Sequence, residues 1–258
     1  MISINKFFVL IVLLPIIISC SFNQIRPDIN RETMIYKQNL NEIFEGEHYY
    51  QNYSYGKYSI IKIYNKNYKT AILYLHGRGL NPNEQNLAYP VRTKMSNIFN
   101  TYSIQLPVLK KDSTYYEYTK IFYDSDERIK SAIENILNSN KELTIIAHSC
   151  GVHMLMSYIR NNTLPSGVKS LVMIGSGAVD KGQGLINPYP YTKIKVPILD
   201  IYGENDFGLV IKESKVRRKS IEEIHGKSKQ VEIKLSNHYH NDNSNEIIDQ
   251  VKKWLSTL

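Results

Sequence analysis

The chain has 258 residues, of which 42% are hydrophobic and 22% are charged. These values are typical of a folded domain with a sizeable core, and they exclude a disordered chain or a coiled coil. The formal net charge is +8, but the only dense basic run is Arg217, Arg218 and Lys219. Because no sequence motif for nucleic-acid recognition accompanies this run, we predict that it is a solvated helix surface and that the protein has no nucleic-acid partner.

The first twenty residues resemble a bacterial lipoprotein signal. Lys6 precedes an apolar stretch over residues 7–18 that is too short to span a bilayer as a helix, and the sequence IISC then ends at Cys20. The resemblance implies that residues 1–19 are removed and that Cys20 carries the acyl chains of a membrane anchor; a plain secretory signal with an incidental cysteine is the alternative. Because Ser21 stands where an aspartate would favour the inner membrane, we expect a cell-envelope protein anchored at the outer membrane and facing the periplasm.

Downstream of the signal, strand and helix patterns alternate. Polar residues 20–52, with a weak helical pattern over 34–44, are predicted to form a tether and N-terminal segment before a domain over 53–258. Strands are predicted over 58–64, 70–75, 101–106, 143–147, 168–174, 196–202 and 230–235. Helices are predicted over 87–99, 121–137, 152–159, 212–225 and 247–255. This alternation predicts an α/β fold with a mostly parallel central sheet covered by helices on both faces.

The pentapeptide AHSCG stands between a predicted strand and a predicted helix, where a nucleophile elbow needs small residues two positions before and after the nucleophile. Ala147 and Gly151 flank Ser149 in this way, whereas the same positions around Cys150 hold a histidine and a valine, which are too large. The spacing therefore predicts Ser149 as the nucleophile and Cys150 as the donor of a backbone N–H to an oxyanion. A second donor, the N–H of Arg78, is expected from the HGRG loop that follows an earlier buried strand.

A nucleophilic serine also needs a base that is oriented by an acid, in the chain order Ser, Asp or Glu, His. The strand over 196–202 is followed by Glu204 and Asp206, and we predict Asp206 as the acid, with Glu204 as its alternative. The last strand is followed by His238 and His240. His238 comes first and is the predicted base, while His240 is either a supporting or a merely exposed histidine.

These motifs resemble the α/β-hydrolase superfamily. They are most similar to a poorly characterised set of bacterial α/β-hydrolase-like proteins that carry HGRG, IQLP and the serine elbow, here at residues 76–79, 104–107 and 147–151. The resemblance covers about residues 57–255 and implies a sheet of about eight strands with catalytic groups at strand carboxyl ends. The upstream antiparallel strands are poorly marked, so we expect a trimmed sheet, and the segment over 175–195 is too short for more than a minimal cap.

The residues and the resemblance together predict a serine hydrolase that cleaves small carboxylic esters or thioesters through an acyl-enzyme at Ser149, without a metal or cofactor. Two alternatives stay open: a catalytically inactive binding or envelope-assembly lipoprotein of the same fold, and an amidase or peptidase. Phe207 and the tyrosines of two loops, Tyr115, Tyr116, Tyr118, Tyr189 and Tyr191, are candidates for lining an acyl or aromatic pocket.

Overall fold

A computed structural model describes residues 25–258. The predicted signal peptide, Cys20 and the start of the predicted tether lie outside the described residues. The strands are β1 Glu47–Tyr53, β2 Gly56–Ile63, β3 Thr70–Leu75, β4 Asn100–Ile104, β5 Glu142–His148, β6 Val168–Ile174, β7 Ile198–Asn205 and β8 Lys229–Asn237. The helices are α1 Ile29–Glu42, α2 Ala88–Met95, α3 Tyr115–Tyr118, α4 Phe122–Ser139, α5 Cys150–Asn161, α6 Gly208–Lys212, α7 Ser214–Ile224 and α8 Ser244–Leu255.

The strands form one sheet in the order β1-β2-β4-β3-β5-β6-β7-β8. The β1–β2 and β2–β4 pairs are antiparallel, and the other pairs are parallel. Leu73 of β3 is in register with Tyr102 of β4 on one side and Ile145 of β5 on the other. Since the winding reverses between β3 and β5, their carboxyl ends border the crevice where ligands bind in open sheets of this kind.

Helices cover both faces of the sheet, and successive strand residues therefore pack into different cores. Ile145 belongs to the core beneath α4, α5 and α7, whereas its neighbour Ile146 belongs to the core beneath α2 and α8. Trp254 closes the second core from α8. Burial on both faces explains why β3, β5 and β6 are continuous apolar runs.

The predicted α/β class and the mostly parallel sheet are confirmed. The expectation of a trimmed sheet is wrong, because β1 and β2 complete eight strands as an antiparallel hairpin. Strand β1 escaped prediction because its sequence, EHYYQNY, is mostly half-buried at the sheet edge and has no apolar alternation.

The N-terminal segment packs against the domain. Helix α1 lies within residues 20–52 and strand β1 begins there, so the folded part of the chain begins before residue 53. Helix α1 docks through charged side chains: the Glu32 carboxylate pairs with the buried Arg128 guanidinium at 2.8 Å, and Arg128 also pairs with Asp124 at 2.7 Å. An interface made by ion pairs leaves no apolar periodicity in the sequence of α1 to reveal it.

Candidate active site

Ser149 lies at the turn between β5 and α5, as the elbow motif predicts. Its backbone has φ 53° and ψ −120°, a strained conformation for a residue with a side chain. A Cβ atom at Gly151 would lie 2.5 Å from the carbonyl oxygen of Leu75, so only glycine allows α5 to start this close to the end of β3. Ala147 is fully buried on the other side of the turn.

The structure brings Ser149, His238 and Asp206 together in one hydrogen-bonded chain. The Ser149 Oγ lies 2.8 Å from Nε2 of His238, and Nδ1 of His238 lies 2.6 Å from Oδ1 of Asp206. An ionised carboxylate only accepts, so the proton of the neutral imidazole is assigned to Nδ1 and Nε2 accepts from the serine hydroxyl. His238 and Asp206 are buried, whereas Ser149 is partly exposed.

Asp206 is held as a carboxylate by its surroundings. The backbone N–H groups of Phe207 and Gly203 donate to it at 2.7 and 3.3 Å. Burial on its own raises the pKa of Asp206, but the hydrogen bond and charge of His238 and these backbone donors outweigh burial and leave the pKa below its usual value. The acid therefore stays ionised and oriented at neutral pH.

The alternative acid, Glu204, is engaged elsewhere. Its carboxylate accepts from the backbone N–H of Leu235 at 2.9 Å and from Nζ of Lys234 at 3.3 Å. The structure therefore places Asp206, and not Glu204, against the imidazole of His238.

The ring of His240, the alternative base, is bonded to Ser236, whereas the Ser149 hydroxyl is bonded to His238. Nδ1 of His240 is 2.7 Å from Oγ of Ser236, and the ring centroid of His240 lies 6.1 Å from that of His148. His148 in turn holds the backbone of His238, with Nε2 3.0 Å from the His238 carbonyl oxygen. Burial lowers the pKa of His148 to about 3 and that of His240 to about 4, so both rings are neutral supports.

The residues that carry the two predicted oxyanion donors lie next to Ser149 in different ways. Cys150 is the first residue of α5, and a Cβ atom at Gly77 would lie 3.2 Å from Cβ of Ser149, which brings the loop that carries Arg78 up to the serine. Burial raises the pKa of the Cys150 thiol to about 12, so the thiol stays protonated and is a poor nucleophile.

His76 fixes the peptide that carries the Arg78 N–H. Its Nε2 accepts from the backbone N–H of Leu106 at 3.0 Å, which assigns the ring proton to Nδ1, and Nδ1 donates to the Gly77 carbonyl at 2.8 Å. The Gly77 carbonyl and the Arg78 N–H are opposite edges of one planar peptide. Holding the carbonyl therefore sets the direction of the N–H.

Solved structures with the same architecture include the Pyrococcus furiosus esterase Pf2001 (TM-score 0.64, 16% identity, 85% of this chain and 93% of that chain). The carboxylesterase CesB of Bacillus subtilis (0.61, 16%, 88% and 97%) and Est1E of Butyrivibrio proteoclasticus (0.60, 12%, 81% and 98%) are also similar. The chain has the α/β-hydrolase fold. No protein-family model and no curated protein matches the sequence. The narrower resemblance to bacterial α/β-hydrolase-like lipoproteins stays a prediction.

In an α/β-hydrolase fold the elbow is exposed at the top of the sheet, and the partner groups follow the nucleophile in the order acid, then base. Residues 149, 206 and 238 follow this order here. They stand at the carboxyl ends of β5, β7 and β8, which parallel pairing brings to one edge of the sheet.

An open cavity of about 690 Å³ adjoins this edge of the α/β-hydrolase fold. Phe207 and Tyr239 line it, and their rings also lie 4.1 and 5.5 Å from the His238 ring. Of the aromatic residues predicted to line a pocket, Phe207 is thus in its wall, whereas Tyr189 and Tyr191 line a neighbouring apolar cavity of about 400 Å³. Leu209 lies in the walls of both cavities.

Several site residues escaped sequence reasoning. Gly175, the first residue after β6, has φ +63°, and a Cβ atom there would lie 2.8 Å from Cε1 of His238; a glycine directly after a buried strand was the available signal. The Arg78 guanidinium forms a two-pronged ion pair with Asp180 at 2.6 and 2.7 Å. Asp180 also accepts from the backbone N–H of Tyr115 at 2.6 Å. Side-chain pairings this far apart in the chain carry no local signal.

Within residues 25–258 we find no group of three or more His, Cys, Asp or Glu side chains placed to hold a metal ion. The same residues contain no helix that is long and apolar enough to cross a membrane.

Proposed function

We propose that the protein is a serine hydrolase that cleaves small carboxylic esters or thioesters through an acyl-enzyme at Ser149. The observation that carries this proposal is the continuous hydrogen-bonded chain from Asp206 through His238 to the partly exposed Ser149, next to an open cavity. The esterases among the structural neighbours support the same chemistry for this fold.

In the acylation step, Oγ of Ser149 forms a bond to the acyl carbon while Nε2 of His238 takes the hydroxyl proton. The electron pair of the carbonyl moves to its oxygen, which accepts hydrogen bonds from the N–H groups of Arg78 and Cys150. Collapse of this intermediate breaks the bond to the leaving alkoxide or thiolate, which receives the proton from His238. The ionised Asp206 stabilises the imidazolium while it exists.

In deacylation, a water molecule gives a proton to His238 and its oxygen attacks the acyl carbon. The second tetrahedral intermediate releases the carboxylic acid, and the proton returns from His238 to Oγ of Ser149. Each step uses groups of the protein and water.

The two alternatives lack a structural feature in their favour. An inactive binding module would be favoured by a blocked Ser149, but this side chain is partly exposed. An amidase or peptidase would be favoured by a larger cap, but the segment between β6 and β7 contains one short helical turn, Tyr191–Lys193.

The membrane anchor is proposed on sequence alone. We propose that Cys20 is lipidated and that it holds the folded domain at the outer membrane, facing the periplasm. The substrates would then be small esters or thioesters that reach the cell envelope.

A fluorophosphonate probe tests the proposed reaction, because it reacts with a serine that is activated by a base. We expect labelling of the wild-type protein, turnover of p-nitrophenyl esters and a mass increase on the peptide that contains Ser149. Ser149→Ala should abolish all three. Cys150→Ala is the matched control, since it keeps the backbone N–H and should retain most of the activity; an adduct on the sulfur of Cys150 would overturn the elbow assignment.

A further inference from the structure

The Arg31 side chain connects helix α1 to the loop that carries Arg78 and Gly79. The Arg31 guanidinium donates from Nη2 to the carbonyl oxygen of Gly79 at 2.9 Å and from Nη1 to the carbonyl oxygen of Leu109. A Cβ atom at Gly79 would lie 3.3 Å from Arg31 Nη2. Arg31 therefore connects the loop that carries Arg78 to the segment that follows β4.

The helix turn that carries Arg31 is itself held in place by hydrogen bonds. The Asp28 side chain caps α1 by accepting from the Arg31 backbone N–H at 3.0 Å, and the Asp28 backbone N–H donates to the Val108 carbonyl at 2.7 Å. One turn later, the buried Glu32 accepts from the Val108 N–H at 3.2 Å and from the Arg128 guanidinium at 2.8 Å. The backbone from which the Arg31 guanidinium projects is therefore fixed relative to the segment that follows β4, so only side-chain freedom is lost when the guanidinium binds the loop.

The hydrogen bond from Arg31 to Gly79 is made within a tight turn over residues 77–80, which includes the proposed oxyanion donor Arg78. The Leu80 N–H donates to the Gly77 carbonyl at 3.2 Å, and Gly79 takes the positive φ of +68° that this turn needs. The Arg78 N–H belongs to the first peptide of this turn and points away from the Gly77 carbonyl. Along the chain it stands between the Gly77 carbonyl, which His76 holds, and the Gly79 carbonyl, which Arg31 holds.

We propose that Arg31 is a positioning residue for the oxyanion hole and acts on the Arg78 N–H through Gly79. The inference rests on the proposed function. A donor stabilises an oxyanion fully only when it is already aimed at the position where charge develops. In this structure the element that fixes the aim lies in the N-terminal segment, outside the sheet and the helices that carry Ser149, Asp206 and His238.

The test compares Arg31→Ala and Arg31→Lys with Lys37→Ala, a matched control that removes an exposed cation from the same helix. We expect Arg31→Ala to lower kcat about 10- to 100-fold with KM within about threefold, because part of one oxyanion donor's contribution is lost. The rate of fluorophosphonate labelling should fall in parallel. The kcat of Arg31→Lys should be intermediate, because one ammonium group cannot bind the Gly79 and Leu109 carbonyls with the geometry of the guanidinium. Added methylguanidine should partly restore the kcat of Arg31→Ala. Lys37→Ala should match the wild type.

A second readout is independent of turnover. Hydrogen exchange at the Leu80 amide reports the turn directly, and it should become at least about tenfold faster in Arg31→Ala, with no change in Lys37→Ala. Unchanged exchange at Leu80, or a kcat within twofold of the wild type, would overturn the proposal, as would a change confined to KM. If Arg31→Ala does not fold, the same criteria apply to Arg31→Lys. A wild-type protein with neither turnover nor labelling would refute the proposed function, while the exchange experiment would still decide whether Arg31 holds the turn.

Discussion

Replacing Asp206 with asparagine tests how the acid orients the base, and the structure sets the size of the effect. The carboxylate accepts from Nδ1 of His238 and from the Phe207 N–H on Oδ1, and from the Gly203 N–H on Oδ2. An asparagine that keeps its oxygen at the first position turns its NH₂ group toward the Gly203 N–H. The flipped asparagine turns NH₂ toward His238, so Nδ1 must accept and the imidazole proton moves to Nε2. A protonated Nε2 can no longer accept the hydrogen bond from the Ser149 hydroxyl.

Either orientation also loses the negative charge beside the imidazolium. Two unit charges about 4 Å apart attract by about 4 kcal/mol at an effective dielectric constant of about 20, which corresponds to about three powers of ten in rate at about 1.36 kcal/mol each. With the unfavourable tautomer added, we expect Asp206→Asn to lower kcat by about 10³- to 10⁴-fold.

The assay is steady-state hydrolysis of a p-nitrophenyl ester, with circular dichroism to confirm folding. Glu204→Gln is the matched control, because Glu204 is the neighbouring acidic residue near the end of β7 and its carboxylate binds Leu235 and Lys234. Its loss should change kcat less than threefold. Equal losses in the two variants, or an Asp206→Asn variant that keeps more than about a tenth of kcat, would refute the reasoning.

Three further outcomes are expected, two from the structure and one from the signal sequence. His238→Ala should lower kcat by at least about a thousandfold because the base is gone, whereas His240→Ala should cost much less; the reverse order would make His240 the base. Gly151→Ala should lower the free energy of unfolding by about 2 kcal/mol or more, and Tm with it, because its Cβ would meet a backbone carbonyl at 2.5 Å. In the control Gly226→Ala a Cβ meets nothing within 4 Å, and thermal denaturation should give a nearly unchanged Tm. Cys20→Ala should release the protein from membranes while the domain still folds, and unchanged fractionation with retained palmitate label would contradict the lipidation signal.

The sequence was most informative where a local rule leaves few solutions. Ala147 and Gly151 around Ser149 identify the elbow because a strand and a helix approach closely there. A Cβ atom at Gly151 would lie 2.5 Å from the Leu75 carbonyl oxygen, which is the physical reason for the glycine. The partner groups were predictable for a related reason. In a parallel sheet the polar residues that follow buried strands collect at one edge, and this places Asp206 and His238 together.

The sequence was least informative where contacts are polar and distant. Helix α1 docks by Glu32 on Arg128 and by Arg31 on Gly79, and hydrogen bonds of this kind impose no repeat on the residues between them. Strand β1 was missed for a similar reason, since an edge strand with half-buried tyrosines does not alternate in polarity. The choice between His238 and His240 rested on their order after β8, because spacing alone does not reveal that the His240 ring is bonded to Ser236.

The order of the site residues along the chain has a consequence for biosynthesis. The proposed nucleophile, Ser149, precedes β6, while the proposed acid and base follow β7 and β8, which are synthesised later. A nascent chain would therefore carry Ser149 without Asp206 and His238 until β7 and β8 have left the ribosome and paired with the sheet. Hydrolytic activity would then appear only after His238 has joined the sheet, and translation products that stop before this residue would not act on esters.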